Sequence, residues 1–163
     1  MDFARVISKI PVFHDLSPYQ LQQFLKLCKS RTYKTGEPLC KVREASNEMF
    51  IVVTGALAVA TVDGVELSHI GPGGTVGEMG LVTNTPRCAT ITAVTDVNAL
   101  VIGRGPFMNL MKEDVDIGMK IYHNLLIILV TRLRENNHYI SKSHRGVNRS
   151  SADQDKQLAA STV

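Results

Sequence analysis

The sequence has 163 residues, of which 44% are hydrophobic and 20% are charged. This length and composition are typical of one globular domain with a sizeable core, and they exclude disorder over most of the chain. The net charge of +3 is small. Its excess lies largely in residues 141–163, whereas nucleic-acid-binding domains usually carry a basic stripe on a folded element.

The cysteines and the apolar runs indicate the compartment. Cys28, Cys40 and Cys88 are odd in number and lack the spacing of a metal site, which predicts reduced thiols in a reducing compartment. Charged residues interrupt residues 1–11, so we expect no signal peptide. The longest wholly apolar run, residues 125–130, is far shorter than the ~20 residues of a membrane span. We therefore expect a soluble, cytoplasmic protein that does not enter a membrane.

Residues 2–28 are predicted to be helical. Ser17 followed by Pro18 is typical of a helix start, with Ser17 as the N-cap and Pro18 in the first helical position. Apolar residues recur at helical spacing on both sides of Pro11. They are Phe3, Val6, Ile7 and Ile10 before it, and Leu21, Phe24, Leu25 and Cys28 after it.

Residues 29–103 are predicted to form β-structure. Asp63-Gly64 predicts a hairpin with a type I′ turn, in which both central residues have positive φ. Evenly spaced, short antiparallel strands are typical of a sandwich, roll or barrel. The predicted strands are short runs rich in Val, Ile and Thr, separated by turn residues: 49–54, 56–62, 65–70, 88–94 and 96–102.

Helical patterns return after the strands. Residues 104–111 are predicted to form a short helix and residues 115–140 a long one. The Ser-rich, polar residues 141–163 have no apolar period and are predicted to be a disordered tail. The sequence therefore predicts an α+β domain over residues 1–140, followed by the tail.

One glycine-rich segment, residues 71–89, interrupts the pattern of strands and is the candidate for ligand binding. Its glycines permit tight turns, and a short helix beginning near Glu78 would direct backbone N–H groups toward an anion. Arg87 is suited to bidentate recognition of phosphate, whereas Glu78 is an acceptor for sugar hydroxyls. An acid and a base that flank such a turn indicate a sugar phosphate. A plain salt bridge between the two is the alternative.

This segment resembles the phosphate-binding cassette of cyclic-nucleotide-binding domains, the family of the catabolite activator protein and the regulatory subunit of protein kinase A. The matching residues are Val-Gly-Glu-Met-Gly-Leu at 76–81 and Pro-Arg-Cys-Ala-Thr at 86–90. Further similarity lies at residues 12–17, 33–39 and 49–55, and in all it covers about residues 10–137. The resemblance implies an antiparallel, jelly-roll-like β-roll flanked by N-terminal helices and a long C-terminal helix.

The resemblance also implies a site for a cyclic nucleotide: cyclic AMP first, then cyclic GMP or cyclic di-GMP. It implies that Glu78 accepts from the ribose 2′-hydroxyl and that Arg87 pairs with the cyclic phosphate. Backbone N–H groups at three further positions complete the implied site: Gly77, Met79 and Cys88. The long C-terminal helix would cover the purine, with three candidate base contacts: Thr131, Arg132 and Glu135.

The sequence departs from the family pattern at four places. Residues 41–48 lack the glycine usual before the following strand. Val76 replaces the common Phe, Gly80 the common Ala, and Cys88 an Ala, Ser or Thr. In families that favour cyclic GMP, a Thr hydroxyl at the position of Cys88 reaches guanine, whereas a thiol is a weak donor and acceptor. This difference favours cyclic AMP.

The long helix carries a second candidate surface. Residues 125–130 are apolar all round, which is typical of a helix buried on more than one side. One side can pack on the β-roll and the other on the same helix of a second subunit. This predicts a homodimer with Leu125, Ile128 and Leu129 in its interface. The alternative is a helix buried wholly within its own domain.

We therefore expect a cyclic-nucleotide sensor whose output is protein–protein contact, through self-association or an unknown partner. An interaction module that keeps the fold without the ligand is the second hypothesis. DNA binding by this chain alone is disfavoured, because the residues after 140 are too few for a helix-turn-helix. Enzymatic activity is not expected, since Walker A, Gly-x-Ser-x-Gly and His-Glu-x-x-His patterns are absent. Neither a cofactor nor a metal site is expected.

Overall fold

The computed structural model describes residue 7 and residues 9–160, with side chains described up to residue 137. The predicted helical residues Phe3 and Val6 lie outside this range. A short 3-10 helix at Pro11–Phe13 precedes the regular elements. The helices are α1 (Pro18–Leu27), α2 (Glu78–Thr83), α3 (Arg104–Glu113) and α4 (Val115–Ala160). The strands are β1 (Lys29–Tyr33), β2 (Pro38–Cys40), β3 (Glu48–Thr54), β4 (Leu57–Ala60), β5 (Glu66–Ile70), β6 (Thr75–Val76), β7 (Thr90–Ala93) and β8 (Val97–Gly103).

Helix α1 begins with Ser17 as its N-cap and Pro18 in its first turn, as predicted, and Gln20 completes a capping box. The Gln20 backbone N–H donates to Ser17 Oγ over 3.2 Å, and the Ser17 backbone N–H donates to Gln20 Oε1 over 3.0 Å. The Gln20 side chain also reaches α4, because its Nε2 donates to Asp116 Oδ2 and its Oε1 accepts from Lys120 Nζ over 3.1 Å. The start of α1 is therefore fastened to the first turns of α4.

The strands form two four-stranded sheets, in the orders β1-β8-β3-β6 and β2-β7-β4-β5. Every pairing is antiparallel. Four successive residues of β3, Met49 to Val52, are buried, so this strand is covered on both faces. The apolar core contains side chains of both sheets, among them Phe50, Val52, Leu57, Ile91 and Val101. This arrangement confirms the predicted α+β fold with an antiparallel roll.

The hairpin between β4 and β5 forms where it is predicted, but its turn differs. Gly64 has a φ of 78°, whereas Asp63 is not among the residues with positive φ. The Gly64 N–H donates to Thr61 O, and the Thr61 N–H donates to Val65 O. The type I′ prediction is therefore wrong, because the chain closes the turn around Thr61 with one left-handed residue instead of two.

The helices of the first 125 residues pack through a row of aromatic rings. Phe13 meets Phe24 at 5.1 Å between ring centroids, Phe24 meets Phe107 at 6.4 Å, and Phe107 meets Tyr122 at 6.1 Å. All three contacts are edge-to-face, the geometry that the ring quadrupoles favour. This row joins the 3-10 helix, α1, α3 and the start of α4.

Helix α4 begins at Val115 as predicted, and its backbone continues to Ala160 instead of ending at residue 140. Residues 141–160 lack an apolar period, but they contain no proline that would stop a helix. Disorder of residues 141–163 in solution stays a prediction. The chain divides into two units, Met1–Leu125 with both sheets and Leu126–Val163, whose described residues belong to α4. None of the helices in the described residues has the length and apolar character needed to cross a membrane.

Candidate functional site

The glycine-rich segment turns from β6 into α2 at Gly77. This residue has a φ of 86°, in the left-handed region where glycine carries no steric penalty. The Leu81 N–H donates to Gly77 O over 3.1 Å, so the N–H groups before Leu81 lie at the free end of the helix. Glu78 is the first helical residue and its side chain is buried. The helix start predicted near Glu78 is confirmed.

Arg87 places a buried cation beside this turn. The residue is only 7% exposed, and its Nη2 donates to the backbone carbonyl of Glu48 over 2.7 Å. Its guanidinium carbon lies 5.5 Å from the centroid of the Phe50 ring. Nε and Nη1 have no hydrogen-bond partner among the described residues. Two buried N–H donors without acceptors carry a desolvation penalty that an anion would remove.

Gly77 and Arg87 lie in direct contact. A Cβ atom at Gly77 would stand 2.1 Å from Arg87 Nη1 and 2.6 Å from Glu48 O. The guanidinium therefore occupies the space that a side chain at Gly77 would need. The structure thus brings together the predicted turn glycine and the predicted phosphate-binding arginine.

A second segment, the supporting loop of residues 41–48, forms hydrogen bonds with the backbone of Arg87. The Arg43 N–H donates to Arg87 O and the Arg87 N–H donates to Glu44 O, each over 2.8 Å. Arg43 has a φ of 71°, so it adopts the left-handed conformation, which glycine adopts without a steric penalty. Sequence reasoning noted only that this loop lacks the family's glycine, and it missed that the loop positions Arg87.

The same loop explains Gly80 in α2. A Cβ atom at Gly80 would stand 2.0 Å from Ser46 Oγ and 2.7 Å from Thr85 O. Ser46 is buried and its side chain lies where the common Ala would place its methyl group. The departure at Gly80 is therefore matched by a residue of the supporting loop.

A cavity of about 730 Å³ adjoins Arg87. Its lining comes from the supporting loop, the junction of β8 and α3, and Phe50. Cys40 also lines it, and burial raises the pKa of the Cys40 thiol while the charge of Arg87 opposes that rise. Of the predicted ligand-binding residues, Arg87 alone lines this cavity. Gly77, Glu78, Met79 and Cys88 are not among the residues that line it.

Comparison with known proteins decides the family. The sequence profile of the cyclic nucleotide-binding domain matches residues 30–114. The chain belongs to the cyclic nucleotide-binding domain family. The match includes every residue of the site described above, from the supporting loop to Arg87.

Relatives of this domain include proteins of different architecture. A cyclic nucleotide-gated potassium channel of Mesorhizobium japonicum is 35% identical over 71% of this chain and 33% of the channel. A protein named cyclic AMP receptor protein from Thermus thermophilus is 30% identical over 77% of this chain and 58% of the receptor. The crystal structure of the Thermus thermophilus catabolite activator protein superimposes with a TM-score of 0.69 at 29% identity, covering 80% of this chain and 62% of that one. This chain spans about one third of the first curated relatives.

Two of the predicted ligand residues of this cyclic nucleotide-binding domain lie at the surface. Met79 is 49% exposed and Cys88 is the exposed member of the three free cysteines. The Cys88 Sγ lies 3.9 Å from Met79 Sδ. Both residues are therefore accessible to solvent.

The predicted residues of α4 differ in how far they are buried. Leu125 is 3% exposed within the single chain, so its prediction as a dimer contact is wrong, because its side chain is already enclosed. Ile128 and Leu129 are half-buried, and their place in an interface stays a prediction. The Thr131 hydroxyl donates to Ile127 O over 2.8 Å. Contacts of Thr131, Arg132 and Glu135 with a base stay a prediction.

Proposed function

We propose that this cyclic nucleotide-binding domain is a sensor that binds cyclic AMP and passes its presence to a protein partner without turning the ligand over. The observation that carries the proposal is the Arg87 guanidinium, which is buried and has two N–H donors without acceptors. A neutral ligand supplies no charge to oppose that of the guanidinium. A phosphodiester anion supplies both the opposite charge and the acceptor oxygens.

The residues around Arg87 support a sugar phosphate over a simple anion. Glu78 is a buried carboxylate in the first turn of α2, and a carboxylate accepts hydrogen bonds from ribose hydroxyls but repels phosphate. The backbone N–H groups at the start of α2 add donors beside the guanidinium. The acid would therefore hold the sugar, and Arg87 with the backbone would hold the phosphate.

The surface at Cys88 supports adenine over guanine. A thiol is a weak donor, and the Cys88 thiol lies within reach of Met79 Sδ. Guanine would gain little from it, whereas adenine requires no partner at this position. The relative named for cyclic AMP supports the same choice.

Isothermal titration calorimetry on the full chain tests this function. Cyclic AMP is expected to bind more tightly than cyclic GMP or cyclic di-GMP. Arg87→Ala should fold but lose about 30-fold to several thousand-fold in affinity, the effect of ~2–5 kcal/mol for an unpaired buried charge. Arg87→Lys keeps the charge without the fork and should also bind weakly. Unchanged affinity in folded Arg87→Ala, or no binding of any of the three ligands by the wild type, would contradict the proposal.

We further propose that the output is a homodimer built on α4. Leu126 and Leu133 are each more than half exposed, and their spacing of seven residues puts them on one face of the helix, as in paired helices. Exposed leucines at this spacing favour a twin helix as the partner. These residues take the role that the sequence assigned to Leu125.

Sedimentation velocity separates the outcomes. The wild type is expected to sediment as a dimer, and Leu126→Lys as a monomer. Thr131→Lys introduces the same charge at an exposed polar position, about 140° around the helix from Leu126 at 3.6 residues per turn, and should leave the dimer intact. A wild type that stays monomeric at high concentration, with and without cyclic AMP, would rule the dimer out.

A further inference from the structure

An ion pair on the first sheet includes Glu48, whose backbone carbonyl accepts from Arg87. Arg31 on β1 and Glu48 on β3 form a bidentate pair, with Nη1 2.8 Å from Oε2 and Nη2 2.5 Å from Oε1. The hydrogen bonds to Glu48 raise the pKa of the Arg31 guanidinium, so it stays charged at any working pH. The pair is partly exposed, so solvent screens the attraction between its charges. Its two parallel contacts fix the direction of the Glu48 carboxylate.

Glu48 is connected to Arg87 in two ways, through its backbone and through its side chain. Its backbone carbonyl accepts from Arg87 Nη2 over 2.7 Å. Its side chain shares a strand face with Phe50, two residues on, and the Phe50 ring lies against the Arg87 guanidinium. Glu48, Phe50 and Arg87 also line the same cavity. A carboxylate thus stands near a guanidinium that has two unpaired donors, yet it pairs with Arg31 instead.

We propose that Arg31 is a positioning residue for the nucleotide, which holds the Glu48 carboxylate away from Arg87 and so keeps Nε and Nη1 of Arg87 open for phosphate. The inference rests on the proposed function. Without Arg31, the Glu48 carboxylate, which lines the same cavity as Arg87, competes with the ligand for the same donors. Arg31 itself needs no contact with the nucleotide.

A double-mutant cycle measured with cyclic AMP tests this role. Arg31→Gln should weaken binding by at least about fivefold, the lower end of ordinary coupling between sites. In the Glu48→Gln background the same change should have no effect, because the carboxylate that Arg31 holds has been removed. Lys34→Gln is the matched control, since Lys34 forms an exposed pair with Asp96 and its loss changes the net charge equally.

Three results decide the matter. Arg31→Gln binding as tightly as Lys34→Gln overturns the inference. An equal loss in the Glu48→Gln background also overturns it, because the effect would then be structural. A wild type that does not bind cyclic AMP contradicts the proposed function itself, which keeps the two failures distinct. If thermal unfolding shows that Arg31→Gln is not folded, Arg31→Lys replaces it, with a smaller loss that must again vanish in the Glu48→Gln background.

Discussion

The cassette of residues 77–87 and the supporting loop of residues 41–48 are in contact, but they contain different kinds of residue. The cassette contains the turn glycine, the acid and the arginine. The loop has no glycine and none of the predicted ligand-binding residues, yet its backbone exchanges two hydrogen bonds with Arg87 and its Ser46 side chain fills the space beside Gly80. The residues that would touch the ligand are therefore held in place by residues that would not.

The contrast explains how Arg87, which follows the short helix α2, is held in a buried position. Helix α2 has only six residues and cannot be stable alone. The supporting loop supplies the acceptors that the Arg87 backbone and Nη2 need. Changes at the contacts between the two segments should thus damage binding as much as changes in the cassette itself.

The largest expected effect is at Gly77. Gly77→Ala should lower the free energy of unfolding by about 2–4 kcal/mol, because the new Cβ meets Arg87 and the Glu48 carbonyl and because φ is positive there. Chemical denaturation measures the loss, and calorimetry should show binding abolished. Gly36→Ala is the control, since Gly36 also has positive φ but open space around it. If both variants lose the same stability, close contact with Arg87 is not what requires the glycine.

Gly80→Ala should destabilise by about 1–3 kcal/mol, because its methyl group collides with Ser46. The collision is between cassette and loop, so Ser46→Gly should recover part of the loss in the double variant. Denaturation of the four proteins of this cycle measures the coupling. Equal destabilisation by Gly80→Ala with and without Ser46 would mean that the backbone at Thr85, instead of the loop side chain, excludes the methyl group.

The smallest effect is expected at Arg43. Arg43→Gly relieves a left-handed conformation at an exposed residue, while glycine adds entropy to the unfolded chain. The net result should be a gain of up to about 1 kcal/mol in the free energy of unfolding. Affinity for cyclic AMP should stay unchanged, since only the backbone of Arg43 contacts Arg87. A less stable variant would show that the Arg43 side chain contributes packing that outweighs the strain.

Local signals in the sequence predicted the helix starts and the cassette well. Ser17 and Pro18 act over one turn, and Gly77, Glu78 and Arg87 follow a family pattern, so both were recognisable without the fold. Strands β1 and β2 were not separated, because Lys29–Tyr33 is mostly polar and Pro38–Cys40 is short. Their place depends on pairing with β8 and β7, which a local pattern does not contain.

Two errors have a common physical origin. Asp63 was assigned positive φ from its neighbour Gly64, and Leu125 was assigned to a dimer interface from a run of apolar residues. In both cases the local sequence permits more than one arrangement, and the geometry of the folded chain determines which one forms. The supporting loop was missed for the same reason, because Ser46 and the carbonyl of Glu48 gain their roles only when the loop lies against α2.

Gln20 couples the start of α1 to the position of the first turns of α4. Its backbone N–H is sheltered by Ser17 Oγ, while its side chain is bonded to Asp116 and Lys120 in the first turns of α4. A movement of those turns that withdraws the Gln20 side chain exposes the Ser17 amide proton to water, whereas the Gln20 N–H keeps its bond to Ser17 Oγ. The hydrogen-exchange rate of Ser17 relative to that of Gln20 therefore reports a displacement of the first turns of α4.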